Sequence, residues 1–320
     1  MINTVNKASN KKYIKVAIVA VAALVILSAA VFIIPAINPD AGIPSWSELF
    51  KNAGLRENSD KANAELSVHF IDVGQGDCIF IKTENGNALI DSGDIGNSDK
   101  IIRYLRNFNA DKLDYVFITH PDSDHIGSMP EIIQSLEVTN IIMPDIESQY
   151  LPTTKIFEKL LNSISTKHIN TSTAKVQDTF RLGAVTITVV GPITRDSEMK
   201  NISLVLLVVH GDNSFLLTGD AEIEEENEII SSGINIEADV LKAGHHGSKS
   251  SSGLKFLRMV KPKSVIISCG RDNSFGHPSI ETLDRFSQLD AEILRTDFLG
   301  TITVTSDGTQ LKYYFEKEIR

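Results

Sequence analysis

The chain has 320 residues, 42 % of them hydrophobic, enough for one large domain or two ordinary ones with a sizeable core. Its formal charge is −10, and Lys7, Lys11, Lys12 and Lys15 open the chain with no acid among them, so the remainder is more acidic still. That balance argues against an extended nucleic-acid surface, which needs a basic face, while leaving room for a local patch; the two cysteines, Cys78 and Cys269, do not support a disulfide framework and lie in apolar, strand-like runs as small buried hydrophobes.

Residues 16–34 carry no charge, and Ser28 is their only strongly polar residue. As a helix this stretch reaches roughly 28 Å, close to the hydrocarbon thickness of a bilayer. The lysines before it, with Asp40 and Glu48 after it, predict a single-pass anchor in the cell membrane with its amino terminus inside. A cleaved signal peptide is the main alternative; its apolar region is usually shorter and ends in small residues, whereas this run ends in Val31, Phe32, Ile33, Ile34 and Pro35. A buried helix is the third reading. Either of the first two puts the rest of the chain outside the cytoplasm. The expected organisation is a cytoplasmic stub and transmembrane anchor over 1–35, a linker over 36–64 with a short helix near Trp46, and a catalytic domain over 65–320.

From Leu66 the pattern changes. Residues 66–73 alternate like a half-buried strand, and 77–83 and 88–91 follow as strands separated by the turn residues Glu84, Asn85, Gly86 and Asn87. Residues 97–107 have helical spacing, with Ile101, Ile102 and Leu105 on one side. A buried strand over 113–118, a helix over 128–136, a strand over 138–143 and a helix over 153–163 come next. Paired strands are expected within 174–190 and 202–218, joined by Gly-containing turns. After Asp220 the run Glu222, Ile223, Glu224, Glu225, Glu226 reads as a solvated helix start favoured by the helix dipole. A strand over 238–242, helix 254–260, strand 264–268, helix 280–288 and closing strands complete the chain. Strands early, helices interleaved and strands late predict two sheets packed face to face with helices outside.

Histidine or aspartate follows an apolar, strand-like run at four places: His120 to His125, Asp220, the His245-His246 pair, and His277. Five of the eight histidines fall there. His120, Asp122, Asp124 and His125 crowd two imidazoles and two carboxylates into one short loop, the ligand types of a divalent metal site. A two-metal hydrolase needs cations roughly 3.5–4 Å apart, a bridging carboxylate and an acidified water, with ligands converging from several strand ends. Asp220 suits the bridge because Gly219 beside it lets backbone approach closely. Asp124 and His125 suit one metal. His120 and Asp122 suit the other, since alternate residues of an extended stretch point the same way. The bland alternatives are a solvated acidic turn at 120–125, a capping role for Asp220, a surface turn at 245–246, and a rigid Gly-His-Pro turn at His277.

These segments, together with residues 71–77, 89–93, 201–206, 217–220 and 242–248, resemble the metallo-β-lactamase fold superfamily, with the strongest likeness to the hydrolase domain of the competence DNA-uptake protein ComEC and its stand-alone relatives. The resemblance covers residues 66 to 315. It implies an α/β, four-layer αββα sandwich with two divalent metal ions, Zn or Mn, at one edge of the sheets. It makes His120, Asp122, Asp124 and His125 ligands and Asp220 the bridge. One of His245 and His246 is a further ligand, His246 being favoured; the other contacts substrate or supports the ligands from behind. Asp77 and Asp91 would hold the loops beneath the site, and Ser248 would meet an anionic substrate or remain an exposed loop residue. The chain departs from the superfamily's commonest His-x-His-x-Asp-His pattern at Asp122, and Asn201 and Ser203 stand where a further histidine is usual. Both changes exchange nitrogen for oxygen, which favours harder ions such as Mn²⁺.

The expected activity is hydrolysis of a phosphoester, DNA foremost, with Asp124, His245 and His277 in catalytic roles. Small phosphodiesters of phosphocholine or nucleotide type, or a lactam or lactone, are alternative substrates. A catalytically silent binding scaffold is the non-enzymatic reading. No protein partner is deducible.

Overall fold

A computed structural model describes residues 64–194 and 202–317. The expected membrane anchor and the linker lie outside the described residues, as does Asn201; among the described residues no helix is long and apolar enough to cross a membrane.

Two sheets form the core. The first takes β1 (Leu66–Phe70), β2 (Ile79–Thr83), β3 (Gly86–Ile90), β4 (Lys112–Phe117), β5 (Glu137–Met143), β6 (Asn170–Thr173), β14 (Ile302–Ser306) and β15 (Leu311–Phe315) in the order β15-β14-β1-β2-β3-β4-β5-β6. The second takes β7 (Thr179–Leu182), β8 (Val185–Gly191), β9 (Val205–His210), β10 (Asn213–Leu217), β11 (Val240–Lys242), β12 (Ser264–Ile267) and β13 (Glu292–Arg295) in the order β13-β12-β11-β10-β9-β8-β7. Alternation decides which side chains meet. Leu66, Val68 and Phe70 of β1 point between the sheets and pack with Leu206, Val208 and Phe215 of the other sheet. His69, between them, points outward and lies beneath the rings of Tyr104 and Phe108. Each fully buried aliphatic or aromatic side chain in this layer contributes roughly 1.5–3 kcal/mol.

The outer layers are helical. The first sheet is covered by α1 (Ser98–Asn107), α3 (Met129–Ser135) and α4 (Lys155–Lys167), with α2 (Ser123–Ile126) a single turn at one sheet edge. Ile101, Ile102 and Leu105 form the buried face of α1 as the spacing predicts. Thr154 caps α4 by accepting the Phe157 N–H, and His168 ends it in the left-handed conformation. The second sheet is covered by α5 (Ile223–Ser232), α6 (Leu254–Val260) and α7 (Ile280–Phe286), and α8 (Thr296–Leu299) is one turn after β13. The described region is thus the predicted αββα sandwich.

Two differences from expectation have simple causes. β6 is an edge strand whose residues Asn170 to Thr173 are all exposed, so no apolar alternation announced it. The acidic start of α5 is not wholly solvated: Glu225 and Glu226 are buried. Glu225 accepts the Ser203 N–H, and Glu226 accepts those of Ser252 and Gly253. They bind neighbouring loop backbone where the sequence predicted contact with water.

Strand direction positions the site. β3, β4, β5 and β6 run parallel in one sheet, and β10, β11, β12 and β13 run parallel in the other. Parallel strands gather the loops after their carboxyl ends along one edge of the sheet. Asp91, His120, Asp220, the His245-His246 pair and His277 all occupy such loops, after β3, β4, β10, β11 and β12.

Candidate metal centre

Asp220 stands at the middle of the cluster. Its Oδ1 lies 3.3 Å from His125 Nε2 and 3.5 Å from His246 Nε2. Its Oδ2 lies 3.6 Å from His245 Nε2 and 3.8 Å from His120 Nε2. The two oxygens of one carboxylate therefore face two different sets of imidazoles. Gly219 makes this approach feasible: φ is +50°, and a side chain there would collide with Ser203 Oγ. That same hydroxyl accepts the Asp220 N–H at 3.0 Å.

Asp124 completes one half. Its Oδ2 is 3.3 Å from His246 Nε2 and 4.0 Å from His125 Nε2. Asp124, His125 and His246 offer ligand atoms within 4.8 Å of one another, and so do His120, His125 and Asp220. Asp122 is at the rim, 74 % exposed, with Oδ2 3.7 Å from His120 Nε2.

Each inward imidazole is oriented from behind. His125 Nδ1 is 2.8 Å from Oδ2 of the buried Asp91, which also accepts the Thr119 hydroxyl and, through Oδ1, the Thr119 N–H. His246 donates from Nδ1 to the Ser268 carbonyl at 3.0 Å, with Asp77 Oδ1 at 3.5 Å. A proton on each Nδ1 leaves each Nε2 lone pair directed inward. His125 Nε2, His246 Nε2 and Asp220 Oδ1 are buried and have no hydrogen-bond partner. Native proteins rarely leave such atoms unpaired. Three of them converging beside Asp124 fit divalent cations, and this donor set could hold them.

The histidine pair is built by an unusual backbone. His245 and His246 both have positive φ, +46° and +55°, within the 3-10 turn Gly244–Gly247. Left-handed conformation in residues other than glycine stores strain and clusters at functional sites. Here it sends His246 into the buried half, while His245 stays 35 % exposed with Nδ1 3.3 Å from Glu222 Oε1.

The electrostatics follow from crowding. Burial alone would lower both inward histidines. Asp220 and Asp91 instead drive His125 well above its ordinary value, and Asp220 with Asp77 brings His246 up to about 9. Burial would raise Asp220, but His246 and His125 hold it well below the usual carboxylate range. His120 is lowered by burial and by His125. The acids therefore favour compensating positive charge, which divalent cations would supply in place of protons.

Other candidates fall around this centre. Asp77 lies beneath it, 2.6 Å from the Nζ of the fully buried Lys242. Lys242 also donates to the Ala243 carbonyl at 2.9 Å, tying the Asp77 loop to the histidine turn. Neither Lys242 nor Glu222 was singled out from the sequence. A lysine that ends an apolar strand just before Gly-His-His was the available signal for the first; the second was hidden in the acidic run. Ser248 is buried and its Oγ meets Ser250 Oγ, which donates to Glu222. His277 places its ring 5.4 Å from that of His245, and burial followed by His245 lowers its pKa. Asn201, being outside the described residues, has no described position. A cleft of about 160 Å³ opens beside the centre, lined by His120, Asp220 and His245 and by the apolar Ile146, Pro152 and Ile202.

The Metallo-beta-lactamase superfamily matches residues 71–271 of the chain. ComE operon protein 3 of Bacillus subtilis (strain 168) is 33 % identical over 75 % of this chain and 33 % of its own length. Competence protein ComA of Neisseria gonorrhoeae is 28 % identical over 74 % of this chain and 32 % of its own. The chain thus spans about one third of the length of these curated relatives. Among solved structures, CmlA of Streptomyces venezuelae, a diiron beta-hydroxylase, shares the fold with a TM-score of 0.53 at 13 % identity, covering 76 % of this chain and 54 % of that one. The chain belongs to the metallo-β-lactamase superfamily, whose members are generally metal-dependent hydrolases, and is a ComEC-like member of it.

Proposed function

We propose that the chain is a metal-dependent phosphodiesterase that cuts DNA strands, tethered to the cell membrane through residues 16–34 with its catalytic domain outside the cytoplasm. The observation that carries the reading is the split arrangement of Asp220, one oxygen facing His125 and His246 and the other facing His120 and His245. A carboxylate so placed could be shared by two cations. Asp124, His125, His246 and Asp220 would hold one; His120, Asp122 and the other oxygen of Asp220 would hold the second. When bound, such cations supply Lewis acidity toward the phosphoryl oxygens and make a water acidic enough to react near neutral pH.

The chain's own groups do the rest. Asp91 and the Ser268 carbonyl keep the Nδ1 protons in place, so the inward Nε2 atoms stay free of protons once cations replace them. His245, with Glu222 Oε1 3.3 Å from its Nδ1, lines the cleft where the leaving oxygen would depart and would exchange a proton with it. Burial and the neighbouring His245 lower His277 below the ordinary imidazole value, which favours it as a proton acceptor beside the site. The oxygen-rich half around Asp122 and Asp220 favours a hard ion, so Mn²⁺ is expected to support at least as much activity as Zn²⁺. The likeness to competence proteins favours DNA as substrate. The net charge of −10 favours a second reading, a small phosphodiester.

Metal-stripped protein resupplied with Mn²⁺ or Zn²⁺ separates them. A nuclease degrades labelled single-stranded DNA and binds it less tightly as salt rises. A small-diester enzyme turns over bis-(p-nitrophenyl) phosphate and leaves DNA intact. Inactivity on both would end the phosphodiesterase reading, and strict zinc dependence would end the preference for manganese.

A further inference from the structure

The loop after β12 carries an aromatic side chain that the metal centre does not use. Phe275 is 66 % exposed. A single exposed phenyl ring is ordinary on a protein surface. Three observations set this one apart. Its ring lies nearly parallel to that of His277, 26° between planes and 5.8 Å between centroids. His277 in turn meets His245 at 5.4 Å, and His245 lines the cleft beside Asp220. The row of rings therefore runs outward from the centre and ends in an open phenyl face. The backbone beneath it is also fixed. Asn273 Oδ1 accepts the N–H groups of Phe275 at 3.2 Å and His277 at 3.0 Å, and its Nδ2 donates to the carbonyls of Gly270 and His277. A loop backbone held in place before binding leaves less freedom to lose when a partner stacks on the ring it carries.

We propose that Phe275 is a stacking shelf for a nucleobase, seating the base of a nucleotide next to the scissile phosphodiester. Every base has a π face, so such a shelf binds single-stranded nucleic acid with little sequence preference. It makes Phe275 a specificity-determining residue that distinguishes nucleotidyl diesters from diesters without bases. The inference rests on the phosphodiesterase reading for its location beside the reacting bond, and on the ring geometry for the stacking itself.

Two readouts separate these supports. In the first, a dinucleotide containing 2-aminopurine is titrated against the metal-loaded protein. Stacking quenches its fluorescence, and Phe275→Ala is expected to weaken quenching-detected binding about 5- to 100-fold. Phe275→Trp is expected to restore it. In the second, the KM for pentathymidylate is compared with that for an abasic pentanucleotide. Wild type is expected to prefer the thymidylate by a similar factor, and Phe275→Ala to abolish that preference. Absence of quenching in wild type, equal KM values for the two oligomers, or a preference retained in Phe275→Ala would each overturn the shelf. A protein that quenches 2-aminopurine through Phe275 yet hydrolyses neither single-stranded DNA nor bis-(p-nitrophenyl) phosphate keeps the shelf and loses the phosphodiesterase reading.

Discussion

Replacing Lys242 with methionine isolates the charge beneath the metal centre. Lys242 and Asp77 are both buried, and their Nζ–Oδ2 distance is 2.6 Å. Methionine fills much of the same volume but removes the ammonium. Asp77 then retains the His246 Nδ1 at 3.5 Å, with His125 as a further influence, but no ammonium in contact. Removing one partner of a buried ion pair costs about 3–5 kcal/mol, because the other charge is left without compensation. For a domain of this size each kcal/mol moves Tm by roughly 2–4 °C, so a fall of about 6–20 °C is expected. The measurement is urea and thermal unfolding of metal-free protein, which keeps metal binding out of the comparison. Asp77→Asn combined with Lys242→Met removes both charges and is expected to recover much of the loss, since a neutral pair carries no stranded charge. A cost below about 1 kcal/mol for the single variant, or a double variant as unstable as the sum of the two singles, would refute the ion-pair reasoning.

The Asp91→Asn variant keeps the shape of the carboxylate but no longer compels His125 to hold its proton on Nδ1; a fall of about 10- to 100-fold in Mn²⁺ affinity is expected by competition with a chelating dye, with unchanged circular dichroism. Unaltered affinity would remove Asp91 from the support of the centre. The His246 pKa of about 9 in the metal-free protein gives a pH dependence of known sign. A histidine raised above its unfolded value stabilises fully below about 6.5, and that stability is lost as pH climbs through about 9. Metal-free protein is therefore expected to lose up to about 3 kcal/mol between these limits. Metal-loaded protein should not show this fall, because the cation occupies the place of the proton. Urea midpoints measured at both pH values, with and without chelator, check it; a flat or rising metal-free profile contradicts it.

The architecture and the convergence of the loops were legible because they depend on local signals. Apolar alternation identified the strands that face the core, as in Leu66, Val68 and Phe70. Titratable residues just after apolar runs marked the loops, because strand ends are where side chains leave the core. What stayed hidden depended on contacts across the chain. Glu225 and Glu226 looked solvated because sequence cannot show that Ser203, Ser252 and Gly253 present N–H groups to them. Lys242 drew no attention as the end of an apolar strand because its partner Asp77 is distant in sequence. The different burial of His245 and His246 depends on two consecutive left-handed backbones, which a pair of identical residues does not encode by type. Ser203 stands where a further histidine is usual; its hydroxyl accepts the Asp220 N–H, a contact that only the fold brings about.

Elemental analysis of metal-loaded protein, joined to electron paramagnetic resonance of the Mn²⁺ form, tests the shared carboxylate most directly. Wild type should hold two ions per chain with a spin-coupled signal, and Asp220→Ala should lose the coupling and at least one ion. A wild-type chain that stays folded yet takes up no ion, or an Asp220→Ala protein that keeps the coupled pair, would contradict the metal centre described for this fold.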